Sequence, residues 1–296
     1  MRGPRQFTAA EWLRLLPVQQ ALKQARNDAL LARYLRQRPD DLDKFIAGHT
    51  ALQDKAVAIV IAFEQPWALD WQLRAARAML ADTTVLVLDN SRDEASRSRI
   101  QEVCRANGSP YLGLPPYRTR HVNRSHGMAM SWAYHNVVRP LRPSVFGFLD
   151  HDLVPIRPAD PAERLGTQPV FGLLNAGNLD HWSLWAGYCF FRFDATQQLP
   201  LNFLYDFSRE LDTGGRNWGP LYSRLDRQAL RFAPRRFLPL RLPDGEEREV
   251  ELVDGRWLHI GGISYNNNLE PKFAFFERLR RLLESGADPA ALLVGE

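Results

Sequence analysis

Residues 56–149 alternate short apolar runs with segments of helical periodicity, and this alternation limits the possible folds more than any other feature of the sequence. The first run, Ala56 to Phe63, is continuous and rich in β-branched residues, which is typical of a strand buried on both faces. Strands that are separated by helices favour crossover connections and a mostly parallel sheet with helices on its faces. The predicted strands are 56–63, 83–88, 111–114 and 145–149, and the predicted helices are 70–81, 95–106 and 126–138.

The regions on either side of this alternation carry weaker signals. Residues 1–55 are predicted to form a helical extension, which has a capping-box spacing at Thr8 to Glu11 near its start. After Pro155 the alternation weakens into proline-rich loops. The remaining predicted elements are helices over 21–35, 42–53 and 272–283 and strands over 170–174 and 183–193. The last helix is amphipathic, and the residues predicted to face inward are Phe273, Phe276, Leu279 and Leu283.

Composition limits the cellular compartment that we expect for this protein. The chain has 296 residues, which is long enough for one large α/β domain, or for one domain with an extension. The apolar runs are far shorter than the ~20 residues that a membrane-spanning helix needs. The N-terminus carries no recognisable secretion signal. Two cysteines, Cys104 and Cys189, are too few for a disulfide framework, which favours a reducing, cytoplasmic setting.

The charge balance limits the expected partners. Lysine and arginine number 38 against 34 acidic residues, which gives a formal net charge of +4. Such a charge fits an ordinary solvated surface, docking on anionic lipid headgroups, or binding of phosphate-rich donors. No helix-turn-helix, zinc-finger or RNA-binding aromatic signature occurs, so nucleic acid is not an expected partner. The arginines that would rest on the cytoplasmic face of a membrane are Arg2, Arg5, Arg14, Arg26 and Arg33.

The segment Asp150-His151-Asp152 directly follows the predicted strand 145–149. If the extended geometry continues, the two carboxylates point to the same side, where they would supply the hard oxygen ligands that Mg²⁺ and Mn²⁺ prefer. The alternative is a polar turn in which one aspartate only caps a loop. The position after a buried strand favours the metal site, because α/β sheets bind ligands at the carboxyl ends of their strands.

A second acidic segment, Asp89-Asn90-Ser91, ends the predicted strand 83–88. A carboxylate at this position can accept hydrogen bonds from a ribose hydroxyl or a base edge. The alternative is that Asp89 or Ser91 caps the following helix.

The polar segment Asn123-Arg124-Ser125-His126-Gly127 precedes the helix that runs through Met130 and Tyr134. A helix N-terminus with a glycine and polar side chains is suited to bind an anion, so Asn123, His126 and Gly127 are candidate donor-binding residues. The alternative is a simple N-cap formed by Asn123 or Ser125.

Taken together, these segments resemble family-two-type GT-A glycosyltransferases over roughly residues 56–265. The resemblance is carried by Val87 to Ser91, by Asn123 to Gly127 and, most specifically, by the block Phe148-Leu149-Asp150-His151-Asp152-Leu153-Val154-Pro155. In that family the strand-end acid that corresponds to Asp89 contacts the nucleoside, and the D-x-D pair binds the ribose and the metal–diphosphate. The resemblance therefore implies that Asp89, Asn90 and Asp150 contact the donor, that Asp150 and Asp152 bind Mn²⁺ or Mg²⁺, and that His151 is not a ligand.

The resemblance also implies roles for three residues late in the chain. Asp212, with Glu210 behind it, lies where the family places its catalytic acid before a helix, although the common Glu-Asp pair is missing. An inverting transfer needs one base to take the proton of the attacking hydroxyl. The alternative for Asp212 is a turn or N-cap residue. His259 resembles a late histidine that serves as a third metal ligand, and its alternative is a hydrogen-bonded core histidine.

The sequence therefore predicts an α/β, Rossmann-like GT-A fold in which 56–155 bind a nucleotide-sugar, 156–269 bind the acceptor, and 270–296 form a C-terminal helix. The predicted activity is metal-dependent transfer of a sugar to a hydroxyl of a carbohydrate, lipid-linked or other acceptor. Alternatives are a sugar nucleotidyltransferase, which the segment Phe63 to Trp67 disfavours because it lacks a glycine-rich basic loop, and a non-catalytic binding module. Candidate aromatic residues for sugar stacking, or for the core, are Trp182, Trp185 and Trp218.

Overall fold

The structure of the protein is a computed structural model that describes residues 16–117, 119, 121–263 and 269–295. The described α-helices of four or more residues are α1 (Leu16–Tyr34), α2 (Leu42–Gly48), α3 (Pro66–Met79), α4 (Glu94–Asn107), α5 (Val122–Ala133), α6 (Pro161–Leu165), α7 (Phe193–Thr196), α8 (Leu269–Glu284) and α9 (Pro289–Leu292). The strands are β1 (Ala56–Ala62), β2 (Thr83–Asp89), β3 (Tyr111–Gly113), β4 (Val145–Leu149), β5 (Leu153–Pro155), β6 (Val170–Ala176), β7 (Trp182–Arg192), β8 (Arg235–Arg241), β9 (Glu247–Val253) and β10 (Trp257–His259).

The central sheet has six strands in the order β3-β2-β1-β4-β7-β6. The first four strands are parallel, and β7 runs antiparallel to both β4 and β6. The predicted α/β class, with a mostly parallel sheet and helices on its faces, is confirmed. The chain builds β2 and β3 on one side of β1 and then returns to place β4 on the other side. Such a reversal of strand order opens a crevice at the carboxyl ends of the strands.

Strand β1 explains why the central sequence run is apolar at every position. Ile59 and Ile61 pack into the core beneath α5 and α1, whereas Ala58 and Val60 pack into the core beneath α3 and α4. Because both faces of the sheet are covered by helices, every position of the strand from Val57 to Ala62 is buried.

The described part of the predicted N-terminal extension, residues 16–55, contains helices that pack on the residues of the sheet domain. The hydroxyl of Tyr34 donates to the carbonyl of Pro115 at 3.0 Å, and Asp28 pairs with Arg216 at 2.6 Å. The helix predicted over 42–53 ends at Gly48 and continues as a 3₁₀ turn at Thr50–Leu52. The capping-box residues Thr8 to Glu11 lie outside the described residues.

The helix predicted over 126–138 begins earlier than expected, at Val122, and its last part has π-helical geometry at Tyr134–Val138. His121 is the N-cap residue and makes no side-chain capping bond, so neither Asn123 nor Ser125 caps the helix. This early start places the whole polar segment 123–127 on the helix rather than before it.

A second sheet, in the antiparallel order β5-β10-β9-β8, is absent from the sequence prediction. Two of its strands have only three residues, and β8 contains Pro239, so the local pattern resembles loops. Helix α8 covers one face of this sheet through Phe275, Phe276 and Leu279. Phe273, which was predicted to face inward, is instead 40% exposed and packs edge-on against Trp67.

Among the described residues, no helix combines the length and the apolar character that crossing a membrane requires.

Candidate active site

Three potential metal ligands meet at the carboxyl end of β4. Asp150 directly follows that strand, Asp152 precedes β5, and His259 is the last residue of β10. The antiparallel pairing of β5 with β10 sets His259 opposite Leu153, which brings together side chains more than 100 positions apart in the sequence. One ligand atom from each of the three residues lies within 4.8 Å of the others. Two carboxylates and an imidazole suit Mn²⁺ and are compatible with Mg²⁺.

A carboxylate fixes the orientation of the His259 ring. The Nδ1 of His259 donates to Oε2 of Glu251 at 2.8 Å, which leaves Nε2 of the same ring directed at Oδ1 of Asp152 at 3.5 Å. Glu251 lies directly across the β9–β10 ladder from His259, and Nε of Arg235 holds its other oxygen at 2.7 Å. A histidine that ligates a metal usually donates its second ring N–H to such a carboxylate.

The charges of these three groups shift one another's pKa values. Burial, together with the charge of Asp152, raises the pKa of Asp150 to about 6. Burial disfavours the charged ring of His259, but the carboxylates of Asp152 and Glu251 outweigh it and raise the pKa of that imidazole to about 10. In the metal-free protein the protonated ring therefore neutralises the acids. A divalent ion would replace the proton on Nε2.

The three residues line a cavity of about 210 Å³, together with residues of α5, β7 and the segment around 212. Asp212 also lines this cavity, and its Oδ1 accepts a hydrogen bond from Nδ2 of Asn123 at 3.0 Å. The helix expected after Asp212 is only a 3₁₀ turn at Gly215–Asn217. Glu210 lies in an exposed turn with a φ of 54°, and it is not among the residues that line the cavity.

Asp89 does not reach this cavity. Its side chain is fully buried, Oδ1 accepts from the backbone N–H of Ser91 at 2.8 Å, and Oδ2 accepts from the hydroxyl of Tyr111 at 2.9 Å. Burial and the adjacent carboxylate raise the pKa of Tyr111, which keeps the hydroxyl a donor. The helix cap expected of Asp89 or Ser91 is made instead by Asp93, which accepts from the N–H of Ser96.

Asn90 and His126 border a small space of about 30 Å³ that adjoins the cavity. Asn90 donates to Oγ of Ser125 at 2.9 Å. Nε2 of His126 lies 3.6 Å from Oδ1 of Asp150, and burial lowers the pKa of the ring to about 4, so the ring is neutral. His151 also borders this space, and its buried Nε2 has no hydrogen-bond partner among the described residues.

Gly127 has a packing role in this structure. A Cβ at this position would lie 2.5 Å from the carbonyl oxygen of Phe203, so only glycine allows α5 to approach that backbone. Sequence reasoning missed a second glycine, Gly187, whose Cβ would lie 2.5 Å from Oδ2 of Asp150. A glycine inside a strand is a known signal of such close approach.

Sequence reasoning also missed Glu251. The signal that could have revealed it is the Asp254-Gly255 turn, because counting outward from that hairpin pairs Glu251 with His259. Of the three tryptophans, only Trp185 lines the cavity, where its ring lies 4.9 Å from that of His259. Trp182 is buried against Trp218 and belongs to the core.

No model of a known protein family matches this sequence, and no curated protein matches it. Solved structures do match. TarS of S. aureus is 14% identical, with 50% of this chain and 30% of that chain covered and a TM-score of 0.34. The mannosyltransferase PcManGT from Pyrobaculum calidifontis, in complex with GDP-Man and Mn²⁺, is 11% identical, with 60% and 53% covered and a TM-score of 0.34.

The third is glucosyl-3-phosphoglycerate synthase from Mycobacterium tuberculosis, in complex with Mn²⁺ and UDP-glucose. It is 14% identical, with 72% of this chain and 92% of that chain covered and a TM-score of 0.34. This chain spans less than two thirds of the length of the first two proteins. Similarities of this size carry no conclusion about this chain, so its fold class rests on its own topology and its function on its own site.

Proposed function

We propose that this protein is a metal-dependent glycosyltransferase that moves a sugar from a nucleotide-sugar donor to an acceptor hydroxyl. The observation that carries the proposal is the convergence of Asp150, Asp152 and His259 at the carboxyl end of β4. This convergence occurs at the reversal of strand order, where α/β sheets bind nucleotides. A further carboxylate, that of Asp212, lines the same cavity and supplies a candidate base.

The three ligands fit Mn²⁺ or Mg²⁺ by the chemistry of their donor atoms. When bound, the ion would supply positive charge that stabilises the departing nucleoside diphosphate. Asp152 and Nε2 of His259 would hold the ion, and Asp150 would contact both the ion and the donor ribose. Glu251 would keep the ring of His259 in the orientation that presents Nε2 to the ion.

Asp212 is the proposed base of an inverting transfer. Its carboxylate is exposed to the cavity and is oriented by Asn123, so it can take the proton of an acceptor hydroxyl as the sugar–phosphate bond breaks. Glu210 remains a second candidate in the proposal, although its exposed turn lies outside the cavity wall. Residues 56–155 would bind the nucleotide, and 156–269 would contribute Asp212 and part of the acceptor site, with the metal site shared through His259.

The alternative functions differ in what they require. A sugar nucleotidyltransferase needs a glycine-rich basic loop after the first strand, whereas here Phe63 to Gln65 lead directly into α3 at Pro66. A non-catalytic binding module would bind the donor without breaking it. Metal-dependent hydrolysis of nucleotide-sugars would therefore separate an enzyme from such a module.

The direct test is calorimetric titration with UDP, GDP and dTDP, each with and without Mn²⁺. We expect one nucleotide to bind only with the metal, and Asp152→Asn to abolish that binding. Asp194→Asn is the matched control, since Asp194 is an exposed carboxylate paired with Arg192. Metal-independent binding, or equal binding by Asp152→Asn, would overturn the assignment of the metal site.

A cytoplasmic setting is part of the proposal and is supported by Cys104 and Cys189, which are both buried and unpaired. Peripheral contact with a membrane is a separate element of it. Of the arginines that suggested this contact, Arg26 and Arg33 are described, and both are exposed on α1. We expect the protein to sediment with anionic vesicles at low salt, and absence of sedimentation would remove membrane contact from the proposal.

A further inference from the structure

A groove of about 670 Å³ adjoins the candidate active site on the side of the N-terminal helix. It shares Val122, Asn123 and Asp212 with the cavity that the three candidate metal ligands line, so the proposed base lies where the two spaces meet. Its other walls come from α1, from the start of α5 and from the segment 205–207. The residues that complete the lining are Lys23, Arg26, His121, Arg124, Tyr205 and Phe207.

The groove carries an excess of positive charge. Lys23, Arg26 and Arg124 line it, and Asp212 is the one acidic residue of its lining. Within the described ranges, no carboxylate oxygen lies within 4.0 Å of the charged nitrogens of these three cations. A nearby arginine behaves differently, because Arg216 is paired with Asp28 at 2.6 Å.

Arg124 is the informative member of this group because it is buried, with only 9% of its surface exposed. Its Nε donates to the hydroxyl of Tyr205 at 3.4 Å, a neutral partner that is also bound by Nδ2 of Asn27 at 3.1 Å. The hydroxyl of Tyr117 is another side-chain partner of Arg124, so among the described residues the hydrogen-bond partners of this guanidinium are neutral. A buried charge with neutral partners is costly, and an anion in the groove would offset that cost.

Two further features of the groove fit an anionic ligand. Helix α5 begins beside it with no side-chain cap, and the start of a helix favours negative charge. The rings of Tyr205 and Phe207 lie 4.6 Å apart and edge-on, and Nζ of Lys23 lies 5.8 Å from the centre of the Phe207 ring. The groove thus combines a cationic wall with an aromatic surface.

We propose that this groove binds the acceptor, and that the acceptor carries an anionic group, either a phosphate or a carboxylate. Arg124, with Arg26 and Lys23, holds the anion, which places a hydroxyl of the same molecule beside Asp212. The transfer forms a bond between that hydroxyl oxygen and the sugar while the sugar–phosphate bond breaks. Asp212 takes the hydroxyl proton, and the nucleoside diphosphate leaves with the bonding electrons. This inference rests on the proposed function.

The first experiment measures anion binding to the metal-free protein in EDTA, so that the metal site cannot capture the anion. Inorganic phosphate, glucose 6-phosphate, glucuronate and glucose are titrated separately by calorimetry at low salt. We expect the anions to bind and glucose not to bind. The tighter of the phosphate and carboxylate probes identifies which anionic group the groove prefers.

Variants locate the binding in the groove. The double variant Lys23→Glu/Arg26→Glu changes two exposed residues and should weaken anion binding roughly 10-fold or more, because it reverses the local charge. Arg124→Gln should weaken it roughly 10-fold, the effect of losing a charged hydrogen bond. Arg77→Glu, an exposed charge reversal on α3, is the matched control and should have no effect.

Two results would overturn the inference: no anion binding to the native protein, or anion binding that is unchanged in both groove variants. The outcome is independent of the metal site. If the nucleotide binds with Mn²⁺ but anions do not bind in the groove, only the assignment of the groove to the acceptor fails. If anions bind the groove but no nucleotide binds with Mn²⁺, the proposed glycosyltransferase function fails.

Discussion

Strand β2 ends at Asp89 and strand β4 is followed directly by Asp150 at the same edge of the central sheet, but the two acidic strand ends have different surroundings. At the end of β2, both oxygens of Asp89 accept hydrogen bonds from the protein, and the residue is fully buried. At the end of β4, Asp150 and Asp152 face a cavity, and their nearest cation is the ring of His259. The carboxylate at the end of β2 has its hydrogen bonds made by the protein, whereas the carboxylates at the end of β4 have capacity to bind a ligand.

The difference follows from what lies beside each strand end. β3 pairs with β2 and brings Tyr111 over Asp89, so a neighbouring strand completes the hydrogen bonds of that carboxylate. β4 lies next to β7, where Gly187 leaves room beside Asp150. A glycine at one strand and a tyrosine at another therefore decide which of two similar acids is left open to a ligand.

The largest expected effect comes from removing a ligand at the end of β4. Asp152→Asn should weaken Mn²⁺ binding by on the order of 100-fold or more, since loss of even an outer partner of a ligand costs roughly 10- to 100-fold. Asp89→Asn should leave Mn²⁺ affinity within about 3-fold of the native value, because its carboxylate is already used by the protein. Titration of Mn²⁺ by calorimetry measures both. Equal losses in the two variants would remove the distinction between the strand ends.

The next effect concerns the residue that orients His259. Glu251→Gln should weaken Mn²⁺ binding roughly 10- to 100-fold, because the amide no longer provides the charged acceptor that fixes the ring. Glu249→Gln is the matched control, since Glu249 lies on the same strand and is exposed. Electron paramagnetic resonance of free Mn²⁺ gives the bound fraction directly. An unchanged affinity in Glu251→Gln would mean that Glu251 does not orient the ligand.

At the end of β2 the expected effect is on stability. Asp89→Asn should lower the free energy of unfolding by about 1–3 kcal/mol, because an amide cannot accept from both Ser91 and Tyr111 and leaves a buried donor unpaired. Urea unfolding of the native protein, Asp89→Asn, Tyr111→Phe and the double variant would give the coupling between the two side chains. Additive losses would show that the hydrogen bond between them contributes little.

At the end of β4 the same type of substitution, Asp150→Asn, should raise the free energy of unfolding instead of lowering it. The pKa of Asp150 is raised to about 6 in the folded protein, so its ionisation favours the unfolded chain and stability falls as the pH rises from the ordinary carboxyl pKa through about 6. In EDTA at about pH 7.5, Asp150→Asn should therefore stabilise the protein by about 1–2 kcal/mol, and this gain should disappear near about pH 4.

The partial exposure of the Asp150 side chain, 26%, limits the size of that gain. Thermal unfolding of both proteins across this pH range measures it. A destabilised Asp150→Asn variant at neutral pH would show that Asp150 serves the fold in the way that Asp89 does.

The sequence by itself determined the α/β class and the position of the acidic strand ends. A strand covered on both faces must be apolar along its length. The apolar composition of Ala56 to Ala62 therefore predicts that the segment is a strand buried on both faces. The same holds for the helices whose apolar faces meet the sheet. These signals are local, and they could be read without knowing which segments pair.

Only the tertiary structure decided which acidic strand end faces a cavity, what orients His259 and where the cations of the groove lie. Each of these depends on contacts between distant segments: Tyr111 with Asp89, β5 with β10, and α1 with the segment 205–207. The short strands of the second sheet carry too few residues to show a period, so their pairing was hidden in the sequence. The residue types can be read from the sequence, but strand pairing and packing determine the surroundings of each residue and therefore what it can bind.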